Sequence, residues 1–293
     1  MNLNPSHFTE ISFPGLGIEI NPIRSIEIFG LSIHLYGIMI ALGLMLAVIY
    51  ACRRSKQFGL KAEDLTDGVL FIVPFAVLCA RLYYCIFQWD SYKDNLVRIF
   101  YIWEGGLAIY GGVIGAAIGI LVFARVKKIR VGAVLDITSL GFLIGQSIGR
   151  WGNFFNREAF GAETNSILRM GLLNKYTNQI TYYHPTFLYE SLWNAAGFVL
   201  LHHLSKKRKY DGQVALLYVA WYGRGRTFIE GLRMDSLYWG PFRVSQMLAA
   251  ITCFIAVAAL MYFHFFKQPD PDKMQVRLFE AQQEAQKGEK KHE

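Results

Sequence analysis

Charge is scarce in this 293-residue chain: 18% of its residues are Asp, Glu, Lys or Arg, against 53% hydrophobic, and the mean hydropathy is +0.27. That balance excludes an ordinary soluble domain and points to an integral membrane protein. Cysteine is scarce as well. Cys52, Cys79, Cys85 and Cys253 lie in or beside apolar stretches, without C-x-x-C spacing and without histidine nearby. This excludes a disulfide framework and a thiolate metal site, and leaves four buried structural thiols. Ahead of the first long apolar run there is neither a basic n-region nor a small-residue cleavage site, so no cleaved leader is expected. No internal repeat of the kind found in transporters is present.

What the chain has in abundance is long apolar runs. Spans are expected at residues 31–51, 68–88 (interrupted by Pro74 and Arg81), 109–126, 131–148, from near 185 to 205, 212–230 and 244–266. The first is long enough, at about 1.5 Å per residue, to cross a hydrocarbon core of about 30 Å. Residues 1–30 hold Pro5, Pro14 and Pro22 and little charge, which suits an extended arm on a membrane surface. Residues 155–183 are polar and read as a small loop domain outside the lipid, and residues 267–293 as a charged tail, solvated and helical or disordered. The expected fold class is thus an all-α polytopic membrane protein: seven transmembrane helices with a small extracytoplasmic loop domain.

A net charge of +8 would in a soluble chain suggest nucleic acid, but here it sorts by position. Residues 52–67, 125–130, 205–211 and 267–293 hold 18 lysines and arginines, and the stretches on the opposite side hold 9. The N-terminus is therefore expected outside, the C-terminus in the cytoplasm, and nucleic acid is excluded as a partner. Two spans carry glycines at every fourth position, Gly111, Gly115 and Gly119, then Gly141, Gly145 and Gly149. These are expected to pack helix backbones closely.

The polar groups within the spans gather towards the outer side: His34 and Tyr36, Tyr110, Arg150 and Asn153, Tyr189 and Glu190, Arg226 and Glu230. Asp136, the exception, is expected to stabilise a helix N-terminus. Arg81, in mid-span, is expected to pair with a carboxylate such as Glu104 or Glu190, structurally or within a site. Tyr222, Arg226, Glu230 and Arg233 recur at spacings of four, four and three and share one helical face. An Arg226–Glu230 ion pair is the plain reading of that face. A second arginine, Arg150, arriving at the same depth favours a phospholipid headgroup site, because planar guanidiniums read phosphate. A phosphodiester held there is also a leaving group whose growing charge the arginines would stabilise, with Tyr110, Glu190 or His34 as a base.

The densest polar stretch is Gly149-Arg150-Trp151-Gly152-Asn153-Phe154-Phe155-Asn156-Arg157-Glu158-Ala159-Phe160-Gly161. An arginine at a bilayer edge is either a snorkelling anchor or half of a binding site. Three glycines that let backbone approach a ligand, with two amides between them, favour the site.

This stretch resembles the signature G-R-x-G-N-F-x-N-x-E-x-[FY]-G of the bacterial phosphatidylglycerol–prolipoprotein diacylglyceryl transferases, and every fixed position is met. The resemblance extends to His34-Leu35-Tyr36-Gly37, to the segment from Trp103 to Gly112, to His184-Pro185-Thr186-Phe187-Leu188-Tyr189-Glu190, and to Gly225-Arg226 with Glu230. It implies an enzyme of the bacterial inner membrane, with no cofactor and no metal. The reaction implied moves the diacylglyceryl group of phosphatidylglycerol onto the lipobox cysteine of a prolipoprotein, forming a thioether and releasing glycerol phosphate. It further implies that Arg150 and Arg226 contact the phosphate region, Arg226 as a catalytic group. Asn153, Glu158 and Gly161 would shape the site, supported by Tyr36 and Glu230. Some members carry a histidine where this chain has Tyr110, so Tyr110 either orients substrate or leaves the proton to another group. The rival reading from the residues is an outer-leaflet phospholipid or organic-anion transporter, in which the same arginines bind without reaction.

Overall fold

The computed structural model describes residues 7–29, 31–234, 236, 238–267 and 269–289. The chain is mostly helical, and the helices occupy the seven expected places: α1 (Leu35–Arg54), α2 (Ala62–Phe87), α3 (Ile109–Val126), α4 (Val131–Asn156), α5 (Thr186–Ser205), α6 (Gln213–Glu230) and α7 (Val244–Phe265). Among the described residues, five of these are long and apolar enough to cross a membrane: α1, α2, α3, α4 and α7. The remaining two, α5 and α6, carry the polar residues that lower their hydropathy. The largest shift from the expected boundaries is in α4, which runs on through Asn156 and so carries Arg150 and Asn153 on helix.

The all-α expectation needs correcting at the polar end. The arm supplies β1 (Phe8–Phe13), β2 (Ile18–Ile20) and β3 (Ser25–Ile28), residues 31–34 form β4 (Leu31–His34), and the loop segment supplies β5 (Met170–Asn174) and β6 (Gln179–Tyr183). β1 pairs antiparallel with both β2 and β5, giving a four-stranded sheet in the order β2-β1-β5-β6, while β3 and β4 form a hairpin. Phe8, Ile11 and Phe13 from the arm pack with Met170, Leu172 and Tyr183 from the sheet, with Phe154 and Phe160 of the signature and with Phe187 of α5. Phe8 and Ile11 are three residues apart, and a register shift in β1 between them puts both on this face with Phe13.

The chain divides into two compact units, and the division falls within α1 and α4. The larger comprises residues 1–47, 139–208 and 213–269. In it the expected glycine ladder of α4 meets α1: Gly152 lies against Tyr36, Gly149 against Ile40, Gly145 against Gly43 and Gly141 against Ala47. A side chain at Gly43 would stand 3.2 Å from the Gly145 backbone, so the two helices touch main chain to main chain. The hairpin of β7 (Tyr238–Trp239) and β8 (Phe242–Arg243) links α6 to α7.

In the smaller unit the second ladder packs α3 on α2. Gly111 faces Tyr83, Gly115 faces Cys79 and Ala76, and Gly119 faces Ile72. A Cβ at Gly115 would lie 2.6 Å from that of Cys79. Gly115→Leu is therefore expected to destabilise the protein by about 1–3 kcal/mol through overpacking. The midpoint of thermal unfolding in detergent reads this, and an unchanged midpoint would contradict so close a helix contact. Arg81 has the partners that sequence reasoning did not foresee. Its Nε donates to the Ile99 carbonyl (2.9 Å), Nη1 to those of Gly105 (2.6 Å) and Gly106 (3.1 Å), and Nη2 to those of Arg98 (2.6 Å) and Tyr101 (3.2 Å). Five backbone acceptors, with the Tyr92 ring 5.2 Å away, satisfy the buried guanidinium; Glu190 pairs with other arginines, and the side chain of Glu104 lies outside the described residues. Asp136 does not stand at its own helix start, since the first turn of α4 carries no acidic residue; fully buried, it accepts from the Gly212 amide at 3.0 Å, in the turn before α6. The tail begins docked, with Gln275 buried and donating to the Gly59 carbonyl, and continues as the exposed helix α8 (Gln275–Glu289).

Candidate active site

The signature folds as the last turns of α4 and the cap that ends it. Arg157 takes the left-handed conformation (φ 57°), its amide donating to Phe154 and that of Glu158 to the Asn153 carbonyl. This is the pattern that closes a helix C-terminus and satisfies its last carbonyls. Non-glycine residues adopt it at a cost, so something must hold Arg157 there. Its buried guanidinium does so, donating to the carbonyls of Thr9 (2.6 Å) and Pro22 (2.7 Å) and to Asn21 Oδ1 (3.0 Å). Burial, with the charge of Arg24 second, pulls its pKa down to about 10, still cationic at neutral pH. Sequence reasoning passed over Arg157 because backbone acceptors 135 residues away leave no local mark.

Two interlocks then set the neighbouring helices. Ser147 on α4 and Ser191 on α5 each donate to the other's backbone carbonyl, at 3.0 and 2.8 Å. Between α5 and α6, Trp193 and Trp221 stack with ring centroids 4.4 Å apart and 19° between planes. Each indole donates to the other's carbonyl, at 3.1 and 3.0 Å. A Cβ at Gly197 or at Gly225 would strike the opposing indole, which is why those positions suit glycine. The serines fix α4 against α5 three residues from Arg150, and the tryptophans fix α5 against α6 within one turn of Glu190 and beside Arg226.

The consequence is that three arginines converge on one carboxylate. Arg150 Nη2 lies 2.6 Å from Glu190 Oε2, Arg226 Nη1 lies 3.1 Å from Glu190 Oε1, and Arg233 Nη1 lies 3.5 Å from the same oxygen. Glu190 is buried at 4% exposure, while the arginine side chains keep between 11% and 22%. Arg226 also meets Glu230 at 2.6 Å, so the ion pair expected within that helix is present alongside the convergence. Glu230 is held in turn by Ser236 Oγ (2.9 Å), and its carbonyl accepts from Arg243 (2.6 Å). Arg150 Nη1 donates to Asn153 Oδ1 (3.3 Å), and Asn153 Nδ2 donates to Glu158 (2.9 Å), which fixes which way that amide faces.

The remaining candidates of the larger unit fall around this cluster. Gly161 donates to the His184 carbonyl (2.8 Å) and bridges Arg233, and a Cβ there would sit 2.7 Å from that of His184. Glycine thus lets the signature, the start of α5 and the end of α6 meet. Tyr36 opens α1 against Gly152. Arg233 does not extend the α6 face, because that helix ends at Glu230; it reaches Glu190 from the following turn. Tyr110 belongs to the smaller unit, in the first turn of α3, and is 40% exposed. The residue underweighted by sequence reasoning is Glu190, which the sequence offers as a base or as a partner for Arg81 and which is instead the shared partner of Arg150, Arg226 and Arg233.

The model of the prolipoprotein diacylglyceryl transferase family matches residues 24–262 of the chain. The chain belongs to that family. Proteins named phosphatidylglycerol–prolipoprotein diacylglyceryl transferase from Listeria welshimeri and Ligilactobacillus salivarius are 42% and 44% identical to it over 255 residues each. These alignments cover 85% and 84% of this chain and 92% and 94% of theirs. The namesake from Bacillus velezensis is 43% identical over 253 residues, 84% of this chain and 93% of its own. The matched region of the diacylglyceryl transferase family takes in the arginine cluster, the signature and Tyr110.

Proposed function

We propose that this protein transfers the diacylglyceryl group of phosphatidylglycerol to the lipobox cysteine of prolipoproteins in a bacterial plasma membrane. The N-terminus lies outside and α5 and α6 cross with the other five helices, for seven crossings. The observation that carries this reading is the meeting of Arg150 and Arg226, from separate helices, at one buried carboxylate. Glu190 is an anion already seated where both forks point. It takes only some of their donors: a guanidinium has five N–H groups, and the contacts described use two on Arg150 and three on Arg226. The free edges are available to a phosphodiester, a second oxyanion of matching geometry.

The acceptor thiolate attacks the glycerol carbon that bears the phosphate, a C–S bond forms and the C–O bond breaks. The thiol's proton leaves to a base and glycerol phosphate departs. Charge grows on the departing phosphate oxygens, and the guanidiniums, fixed beforehand by Glu190, Glu230 and Asn153, stabilise it as it forms. Asn153, Glu158, Gly161 and Tyr36 hold the arginine-bearing elements in place. Tyr110 enters through its motif position and orients substrate, since a neutral phenol is a weak base at neutral pH. Tyr110→Phe is accordingly expected to keep turnover within about tenfold of the parent, and a loss of about 10²–10⁴, the range of general acid–base catalysis, would make its hydroxyl a proton carrier.

The direct experiment supplies the purified protein with phosphatidylglycerol labelled in its acyl chains and a lipobox peptide. Label is expected on the peptide's sulfur. Passage of lipid across vesicles with no label on the peptide would replace the transferase reading with a transporter.

A further inference from the structure

After the signature the chain builds a second polar feature, which the proposed reaction leaves unused. From Gly161 the backbone runs antiparallel beside the end of β6. The Gly161 amide donates to the His184 carbonyl (2.8 Å), the His184 amide to that of Ala162 (3.0 Å) and the Thr164 amide to that of Tyr182 (2.9 Å). There the ladder stops, because the Ser166 amide turns back onto the Thr164 hydroxyl (3.2 Å) and the chain leaves the sheet. Backbone groups alternate sides along a strand, so Ile180, like Tyr182 and His184, turns its amide and carbonyl away from β5. Among the described residues neither group of Ile180 has a hydrogen-bond partner. β6 thus keeps an open edge, and it lies in a cleft of about 480 Å³ lined by Glu163, Thr164, Asn165, Ile180, Thr181 and Tyr182. Arg169 braces the walls: its guanidinium lies 5.0 Å from the Tyr182 ring centroid and donates to the carbonyls of Asn165 and Ser166, both at 3.4 Å.

The form, charge and position of this cleft decide what it suits. An open strand edge takes up extended polypeptide through main-chain hydrogen bonds. Glu163 is exposed and makes no salt bridge among the described residues, so it favours an approaching cation over an anion. The same ladder joins the cleft to the arginine cluster, since Gly161 bridges Arg233, which reaches Glu190. Glu163 and Asn165 follow Gly161 by two and four residues, about 7–13 Å of extended chain. A peptide whose cysteine stands at the arginines covers that distance in two to four residues.

We infer that the open edge of β6 and its cleft dock the segment of the acceptor polypeptide that follows its cysteine. The segment adds as a strand beside Ile180, and Glu163 favours lysine or arginine over acidic residues two to four positions after the cysteine. The inference rests on the proposed transfer to a cysteine.

The test measures transfer by the full chain to lipobox peptides that differ only at those positions, which carry lysines in one and glutamates in the other. The parent is expected to show a KM about threefold lower for the lysine peptide, the worth of an exposed charge pair, and Glu163→Lys is expected to invert the order. Ile180→Pro removes the amide at the open edge and spares the ladder to β5. It is expected to raise the peptide KM about fivefold, the loss of one hydrogen bond, and to leave the KM for phosphatidylglycerol level. Equal KM values for the two peptides in the parent, an order that survives the charge reversal, or a peptide KM untouched by Ile180→Pro would overturn the inference. Fluorescence polarisation of the labelled peptides reads the same preference without turnover. A charge preference in binding with no transfer would sink the transferase reading alone, whereas transfer without a charge preference would sink the docking cleft alone.

Discussion

Arg150→Ala is expected to lower kcat/KM for diacylglyceryl transfer by about 10²–10³-fold while the protein still inserts into the membrane. That is the usual loss when a fixed donor to a developing oxyanion is removed. Insertion is spared because Arg150 lies near the end of α4, whose packing on α1 runs through glycines and apolar side chains. Arg150→Lys should recover little, since an ammonium replaces a planar fork that spans Glu190 and Asn153 at once. Membrane fractionation together with the labelled-lipid assay checks both halves. Turnover within threefold of the parent would remove Arg150 from the reaction.

Glu190→Ala is expected to produce the largest loss of stability, about 3–5 kcal/mol, together with loss of transfer. Breaking one side of a buried ion pair leaves the other charge uncompensated, and here three guanidiniums lose the carboxylate they share. Glu190→Gln separates charge from shape. If Glu190 is the resident anion that holds the forks ready, the amide should weaken the arrangement and lower kcat. The KM for phosphatidylglycerol should stay level or fall, because the lipid's phosphate then meets less competition. Thermal unfolding in detergent and the kcat–KM split supply the readings. A kcat equal to the parent's, with only KM raised, would show Glu190 acting in substrate binding and not in ordering the arginines.

What the sequence made legible is what repeats at helical spacing or stands out against lipid. The two glycine ladders were readable because close packing needs small residues at every fourth position, and α1 with α4 and α2 with α3 use them in that way. The approach of Arg150 to Arg226 was readable because guanidiniums are rare in apolar runs and need a polar partner there. The partners of Arg81 and Arg157 were not. Both bind backbone carbonyls, which every residue has, so no partner type marks the pairing. The sheet was hidden for a related reason: β1 and β5 are separated by over 150 residues, and short strands carry weak alternation. Glu190 was visible as a carboxylate near the site, but its three-way sharing depends on Arg233 turning back after α6 ends, a matter of chain path.

The stacked indoles of Trp193 and Trp221 give the protein a built-in optical reporter. Two coupled transition dipoles at such short range should produce a split circular-dichroism band that vanishes if either ring is replaced by phenylalanine. Because the rings join the helices bearing Glu190 and Arg226, the amplitude of that band during catalysis would reveal whether those helices slide as substrate enters or stay fixed through the whole cycle.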